Sequence, residues 1–308
     1  VILRKSNFLE NLSNLIDIKG VPASIPHEYA LYLLSKEMKK KISVVLSGEG
    51  ADEFFGGYSR VQKSPFDYFK NKFLSKIYFN FTKNKPKNFH EFVLSRYHWF
   101  SPSEKNKLLN PDFKNQIFEN KKNSEWENIL SESSLKNSYN KVLYMFQDKH
   151  LKCLLDRLDT MTMAASVEAR VPFLDHKLVE FINSVPFEYK IKWKSFFHKS
   201  ISLLSSSKDY TEKNDINKFL LRKLSKRYLP KEITYAKKLG FPVPLNNWLK
   251  DEEIEEMLLG NSSKSKIFYN ISELKKILQM KNDKNFDFAG KKVWMLINIE
   301  LWMRKKIV

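Results

Sequence analysis

Cysteine is almost missing: Cys153 stands alone in 308 residues. An intrachain disulfide is therefore excluded, and a reducing compartment, the cytoplasm, is the simplest expectation. Its setting, Leu151-Lys-Cys-Leu-Leu155, is helical and apolar. It reads as a buried core thiol, because a catalytic thiol needs a base and an electropositive niche. No run of eighteen apolar residues occurs, so neither a transmembrane helix nor a membrane partner is expected. The opening Val-Ile-Leu-Arg-Lys-Ser lacks the long apolar core of a signal peptide. A chain that opens on Val1 rather than Met is also expected to lack its natural beginning. The histidines (His27, His90, His98, His150, His176 and His198) lie too far apart for tight metal spacing, and no zinc site is expected. Acidic residues are short as well, 35 against 54 Lys and Arg, which leaves a net charge of +19. Such an excess suits nucleic acid or an anionic substrate. The lysines are scattered among many asparagines and no recognised nucleic-acid motif accompanies them, so no nucleic-acid partner is expected.

What is present is a folded chain, 42% hydrophobic and 14% aromatic. Ser24-Ile-Pro-His-Glu28 reads as a helix start, with a hydroxyl cap, an early proline and an acid in the first turn. Ala30, Leu33, Leu34 and Met38 share one helical face, and Lys39-Lys-Lys41 supplies the charge a helix C-terminus prefers. Ile42-Ser-Val-Val-Leu46 then reads as a buried parallel strand. After Arg60 the strand signal fades. Helices are expected over Leu143–Thr160, Lys177–Asn183, Phe219–Tyr228, Ile271–Met280 and Val293–Lys305, with polar surface segments at Asn110–Ser124 and Ser205–Asn217. No internal repeat is evident.

The most informative segment begins where the strand ends: Ser47-Gly-Glu-Gly-Ala-Asp-Glu-Phe-Phe-Gly-Gly-Tyr58. Ligands of open parallel sheets bind outside the carboxyl ends of strands. Gly48 and Gly50 permit unusual backbone angles and close approach of a ligand. A helix starting near Asp52 would offer its amides to an anion. Glu49, Asp52 and Glu53 crowd three carboxylates into five residues, which is costly unless something positive sits among them. Mg²⁺ carrying pyrophosphate is one candidate; an acid-capped helix ending in a Gly-Gly turn is the other. The segment is neither G-x-G-x-x-G nor a Walker A loop.

Two further segments carry unusual charge. Met161-Thr-Met-Ala-Ala-Ser-Val-Glu-Ala-Arg-Val-Pro-Phe-Leu-Asp175 sets Glu168 and Arg170 in a small, apolar run, as a buried structural ion pair would be. In Tyr235-Ala-Lys-Lys-Leu-Gly-Phe-Pro-Val-Pro244, Lys238 stands just before a stiff turn. It is a point cation suited to phosphate or a developing oxyanion, or simply a surface lysine.

These segments resemble the motifs of the asparagine synthetase (glutamine-hydrolysing) family. The first matches S-G-E-G-A-D-E-x-F-G-G-Y, with Phe54 in the variable slot. The second matches M-x-x-S-x-E-x-R-x-P-F-L-D, preceded by the acid-arginine pair Asp156-Arg157. The third matches K-x-G-F-x-x-P. The motifs run in the family's order, and the resemblance spans Ser24 to Phe241. It implies an α/β fold: part of a parallel-sheet, ATP pyrophosphatase-like nucleotide-binding core over residues 1–60, followed by a mainly helical body over 61–308. Together these would form one synthetase-type domain, incomplete at its start. It implies ATP-dependent adenylation of the aspartate side-chain carboxylate, followed by amide formation with ammonia. By residue match, Glu49 lies against the activated aspartate and Lys238 meets the adenylated intermediate. Ser47, Gly48, Gly50, Asp52 and Glu53 fall on the ATP and pyrophosphate side, with Asp52 holding Mg²⁺ through pyrophosphate. Arg157, Glu168 and Arg170 are site support. The implied partners are aspartate, ATP, Mg²⁺ and ammonia from a glutaminase domain that this sequence does not contain, with a homodimer as an open option.

The chain also departs from the family. S-G-G-x-D-S, the pyrophosphate loop, does not occur in these 308 residues, so weak ATP binding and no turnover are expected of this chain alone. Thr160 stands where some members carry lysine, so no lysine role carries over there. The Asp-Glu-Pro stretch before the first helix reads Asp17-Ile-Lys-Gly-Val-Pro22, which leaves the acceptor acid open. The alternatives are the same chemistry on a sugar acid or β-lactam precursor, and a non-catalytic remnant serving as an interaction module.

Overall fold

The computed structural model describes residues 7–77, 88–113, 122–131, 136–236, 243, 245–249, 252–280 and 286–306. The fold is mixed α/β and mostly helical. Helix α1 (Phe8–Lys19) buries Phe8, Leu12, Leu15 and Ile16, the i, i+4, i+7, i+8 stripe of a helix with one inward face. It ends at Gly20, whose φ of 71° closes the last turn through a 2.8 Å hydrogen bond from its N–H to the Ile16 carbonyl. Helix α2 (His27–Lys39) follows. Ser24 does not cap it with its hydroxyl. Instead Glu28 reaches back to accept the Ser24 N–H at 3.0 Å, and its other oxygen takes the Lys19 ammonium at 2.9 Å.

Helices α1 and α2 pack into the same core as the C-terminal helix Phe286–Lys306, where Val293, Trp294, Leu296, Ile297 and Leu301 are buried. The Ala23 N–H donates to Asn298 Oδ1 at 3.0 Å across 275 residues, so the two ends of the described chain share a buried polar clasp.

The short strand β1 (Val44–Leu46) pairs in parallel with β2 (Glu168–Arg170), in the register Val44 to Glu168 and Leu46 to Arg170. The expectation of a parallel strand therefore holds, but the expectation of burial does not. Leu46 is 70% exposed, and Val44 and Ile42 are also open to solvent. Among the described residues this sheet has two strands, and no layer covers the face to which Val44 and Leu46 alternate. The same geometry corrects Glu168 and Arg170. They stand on one exposed face of β2, paired with each other at 2.8 Å, rather than in the interior. A second two-stranded sheet joins β3 (Lys192–Trp193) antiparallel to β4 (Asp215–Ile216). It falls in the region where strand signal was weakest.

The expected helix over Leu143–Thr160 is three pieces: Ser138–Met145, a π-helical turn at Phe146–His150, and Leu151–Met163. In the last piece Leu151, Leu154 and Leu158 point inward. Cys153 falls off that stripe and is exposed, so the buried-thiol reading is corrected. The other expected helices are found at His176–Ser184, Phe219–Ser225, Ile271–Gln279 and Phe286–Lys306.

Helix Ser64–Ile77 carries a buried ionic cluster. Asp67 accepts from Lys70 at 2.8 Å, Arg96 at 2.6 Å and the Tyr210 hydroxyl at 2.8 Å. Nearby, Lys63 pairs with Asp215 at 2.9 Å and lies over the Trp193 ring. No helix among the described residues is long and apolar enough to cross a membrane.

Candidate active site

The Ser47–Tyr58 segment leaves the carboxyl end of β1, and the Ser47 N–H still donates to the Arg170 carbonyl at 2.8 Å. Gly50 then takes φ 91°, and a Cβ there would fall 2.4 Å from Leu174 Cδ2. Both conditions exclude other residues without strain. Gly48 is different, with no positive φ and open space around it, so its contribution is room for a ligand rather than an unusual turn. The short helix α3 (Ala51–Phe55) follows directly, anchored by Phe54 and Phe55 in a core with Leu151 and Ile182. The chain leaves α3 through Gly56 and Gly57. A Cβ on Gly57 would lie 1.4 Å from Asp52 Oδ1, so this glycine makes the room in which the Asp52 carboxylate sits.

The three carboxylates go separate ways. Glu49 accepts from Arg157 Nη2 at 2.7 Å, across 108 residues. Asp52 pairs with Lys218 Nζ at 2.8 Å. Both pairs are only partly shielded: the Glu49 and Asp52 side chains are 21% and 22% exposed. Thus each loop acid has a cation supplied by a distant segment, and each keeps a solvent-facing side. That answers the charge-crowding problem without a metal and leaves room for one.

Glu53 does not join them. It is buried and accepts the Tyr58 hydroxyl at 2.8 Å, and burial raises its pKa. His150, on the π-helical turn, stands 4.0 Å from Glu53 through Nε2, and its Nδ1 is 2.6 Å from the Tyr97 hydroxyl. Burial, with the Arg157 charge second, holds its pKa down at about 4, so the imidazole is neutral at pH 7. Glu53, expected on the pyrophosphate side, is thus placed with its carboxyl in an internal cluster beneath the loop.

Of the other expected residues, Arg157 joins the site directly through Glu49. Glu168 and Arg170 adjoin it through the β1–β2 pairing. Lys238 lies outside the described residues. Lys218 was not singled out from the sequence. It caps helix Phe219–Ser225 in the left-handed region (φ 48°), with its N–H on the Gly56 carbonyl at 3.3 Å. Only this fold-dependent conformation brings its ammonium to Asp52. As donors for a hard cation, Asp52 and Glu49 fit Mg²⁺, which takes one or two carboxylates together with substrate phosphates. No cluster of three or more His, Cys, Asp or Glu poised to hold a metal occurs among the described residues.

Residues 1–304 match the asparagine synthase family model. The chain is 30% identical over 319 aligned residues to asparagine synthetase [glutamine-hydrolyzing] 1 of Bacillus subtilis, covering 98% of this chain and 46% of that protein. It is 27% identical to asparagine synthetase [glutamine-hydrolyzing] 3 of the same organism, covering 78% and 33%. It is 26% identical to asparagine synthetase [glutamine-hydrolyzing] of Gallus gallus, covering 79% and 29%. The chain thus spans less than half the length of these curated relatives. With a family match over nearly its whole length and the motif loop folded at the end of a parallel strand, this chain belongs to the asparagine synthase family.

Proposed function

We propose that this chain forms the acceptor-facing and pyrophosphate-facing part of an ATP-dependent amide ligase, an asparagine synthase in which aspartate is the activated acid. The observation that carries this reading is the pair of half-shielded ion pairs on one loop, Glu49 with Arg157 and Asp52 with Lys218. Two carboxylates on the reacting face would repel an acidic substrate and a triphosphate alike. Each is neutralised by its own cation, so both ligands can approach.

The chemistry follows from leaving groups. A carboxylate oxygen leaves poorly, so the acid first attacks the α-phosphorus of ATP and expels pyrophosphate. Ammonia then attacks the acyl carbon of the adenylate, a proton is lost, and AMP departs. In this reading Ser47, Gly48 and Gly50 border the nucleotide. Lys218, with Lys238, meets phosphate oxygens as the pyrophosphate charge develops. Asp52 offers the oxygen that suits Mg²⁺, and Mg²⁺ when bound neutralises phosphate charge. Glu49, held by Arg157, takes the proton from ammonia. Ammonia comes from a glutaminase domain outside this sequence, and the cytoplasm suits the substrates. The same geometry serves another carboxylate acceptor equally well.

The test is isotope exchange between ATP and pyrophosphate by the natural full-length protein, with aspartate and with other acids in parallel. Aspartate-dependent exchange that Asp52→Asn lowers by about a hundredfold or more, with Glu49→Gln lowering amide formation rather than exchange, supports the reading. Exchange driven by a different acid moves the acceptor assignment, and no exchange with any acid overturns the ligase reading. The 308-residue chain alone, which carries no S-G-G-x-D-S, is expected to release no pyrophosphate.

A further inference from the structure

Helix Phe219–Ser225 has two working faces. Leu220 and Leu221 pack inward on the core that holds Phe54 and Phe55, and so against α3. Phe219, Arg222 and Lys223 lie on the opposite side at 100° per residue, and Lys226 continues that line. These residues wall a cavity of about 730 Å³. The cavity thus lies on the side of the helix turned away from Leu220 and Leu221. Its volume is that of a small-molecule site.

The lining is one-sided in charge. Lys194, Lys213, Arg222, Lys223 and Lys226 face only Glu212 and Asp215. Both acids are already engaged, Asp215 by Lys63 at 2.9 Å and Glu212 by the Asn217 amide at 3.2 Å. Two of the cations are also committed. Arg222 donates to the carbonyls of Asn217 and Thr234, and Lys194 donates to the Lys213 carbonyl. Both keep their charge, and the ammonium groups of Lys213, Lys223 and Lys226 add three more positive charges to the wall. Phe219 and Tyr235 supply its apolar part, with Lys226 5.1 Å from the Tyr235 ring centroid.

Two independent observations mark the cavity as built for a ligand. The Thr211 hydroxyl lines it, is shielded from solvent, and has no hydrogen-bond partner among the described residues. A shielded polar atom without a partner is costly. In addition, Glu212 (φ 65°), one of the three non-glycine residues with positive φ in the described chain, lines the cavity beside strand β4. Such strain costs about 1–3 kcal/mol per residue and clusters at ligand sites.

We propose that this cavity binds a small organic phosphate. Its phosphate is met by Lys213, Lys223, Lys226 and the Thr211 hydroxyl, and its body rests against Phe219 and Tyr235. Three ammonium point charges and one hydroxyl match a phosphate dianion better than a single carboxylate, which pairs best with a planar guanidinium fork.

Pyridoxal 5′-phosphate is a suitable probe, because its phosphate docks while its aldehyde condenses with a nearby lysine amine, releasing water. Borohydride then reduces the imine to a stable secondary amine, and peptide mapping locates it. On the full-length protein at limiting probe, label is expected to concentrate at Lys213, Lys223 or Lys226, about tenfold over the typical exposed lysine. Inorganic phosphate should suppress it and Mg·ATP should not. Lys223→Gln/Lys226→Gln and, separately, Thr211→Val should reduce labelling of Lys213 while the melting temperature stays at the wild-type value. Label spread evenly over exposed lysines overturns the proposal. So does protection of these three lysines by Mg·ATP, which would assign them to the nucleotide site, and so does unchanged Lys213 labelling in folded variants. None of these readouts depends on the ligase reading.

Discussion

Around Asp67 every charge is closed off, whereas Glu49 and Asp52 each keep one side open to water. Asp67 has three donors, Lys70, Arg96 and the Tyr210 hydroxyl, and its side chain is 4% exposed. Lys63 and Asp215 beside it are equally dry, with the Lys63 ammonium also over the Trp193 ring. Glu49 and Asp52 each take a cation from a distant segment and keep roughly a fifth of their surface in water. Residue types are the same in both places. The saturated cluster ties helix Ser64–Ile77 to residues 193–215, while the partly exposed pairs keep one side facing outward, where a ligand can approach.

Breaking the closed cluster should have the largest effect. Asp67→Ala removes the one anion shared by Lys70 and Arg96 and strands both cations in the interior. A loss of about 3–5 kcal/mol is expected, read as a lowered denaturation midpoint in the full-length protein. A variant with wild-type stability would show that the cluster is wetter than its geometry indicates.

The open pair should respond in the other currency. Asp52→Asn keeps the size of the side chain and leaves Lys218 with 24% of its side chain in water, so stability should fall by about 1 kcal/mol or less. ATP–pyrophosphate exchange should fall by about 10²–10³-fold. A variant that loses stability and keeps exchange would invert the comparison and make Asp52 structural.

The two regions also differ in how far the sequence revealed them. The loop was legible because its glycines, acids and position after an apolar run are local. Of its partners, Arg157 came into view only through the family motif, since it reaches Glu49 from 108 residues away, and Lys218 did not come into view, since it reaches Asp52 only through a left-handed cap. The Asp67 cluster leaves no local trace, because its members come from positions 67, 70, 96 and 210. Helix positions followed from apolar spacing, and the parallel strand from its β-branched run. Burial of that strand did not follow, because burial is decided by the layer next to a strand and not by the strand's own residues. Glu168 and Arg170 were misread for the same reason: small neighbours suggested an interior, yet they share a bare face.

An effect confined to acid pH should come from the cluster that lies between these extremes. His150 is neutral and buried, with a folded pKa of about 4 against 6.5 when free. Between those values the unfolded chain binds the proton and the folded chain does not, so His150 makes stability rise with pH across about 4 to 6.5. Glu53 works against it. Its raised pKa means the folded state holds a proton that the unfolded state has released, so its own contribution falls as pH rises above the ordinary carboxylate range. The net slope of the wild-type protein mixes the two, and the difference between wild type and His150→Gln isolates the histidine. That difference should be constant above pH 7 and shift steadily in favour of the variant from pH 6.5 down toward 4, measured as denaturation midpoints at each pH. A difference that is flat across the window would mean that the imidazole already carries its proton in the fold, held by Glu53 at 4.0 Å, and that the cluster beneath the loop is an ion pair like the one around Asp67.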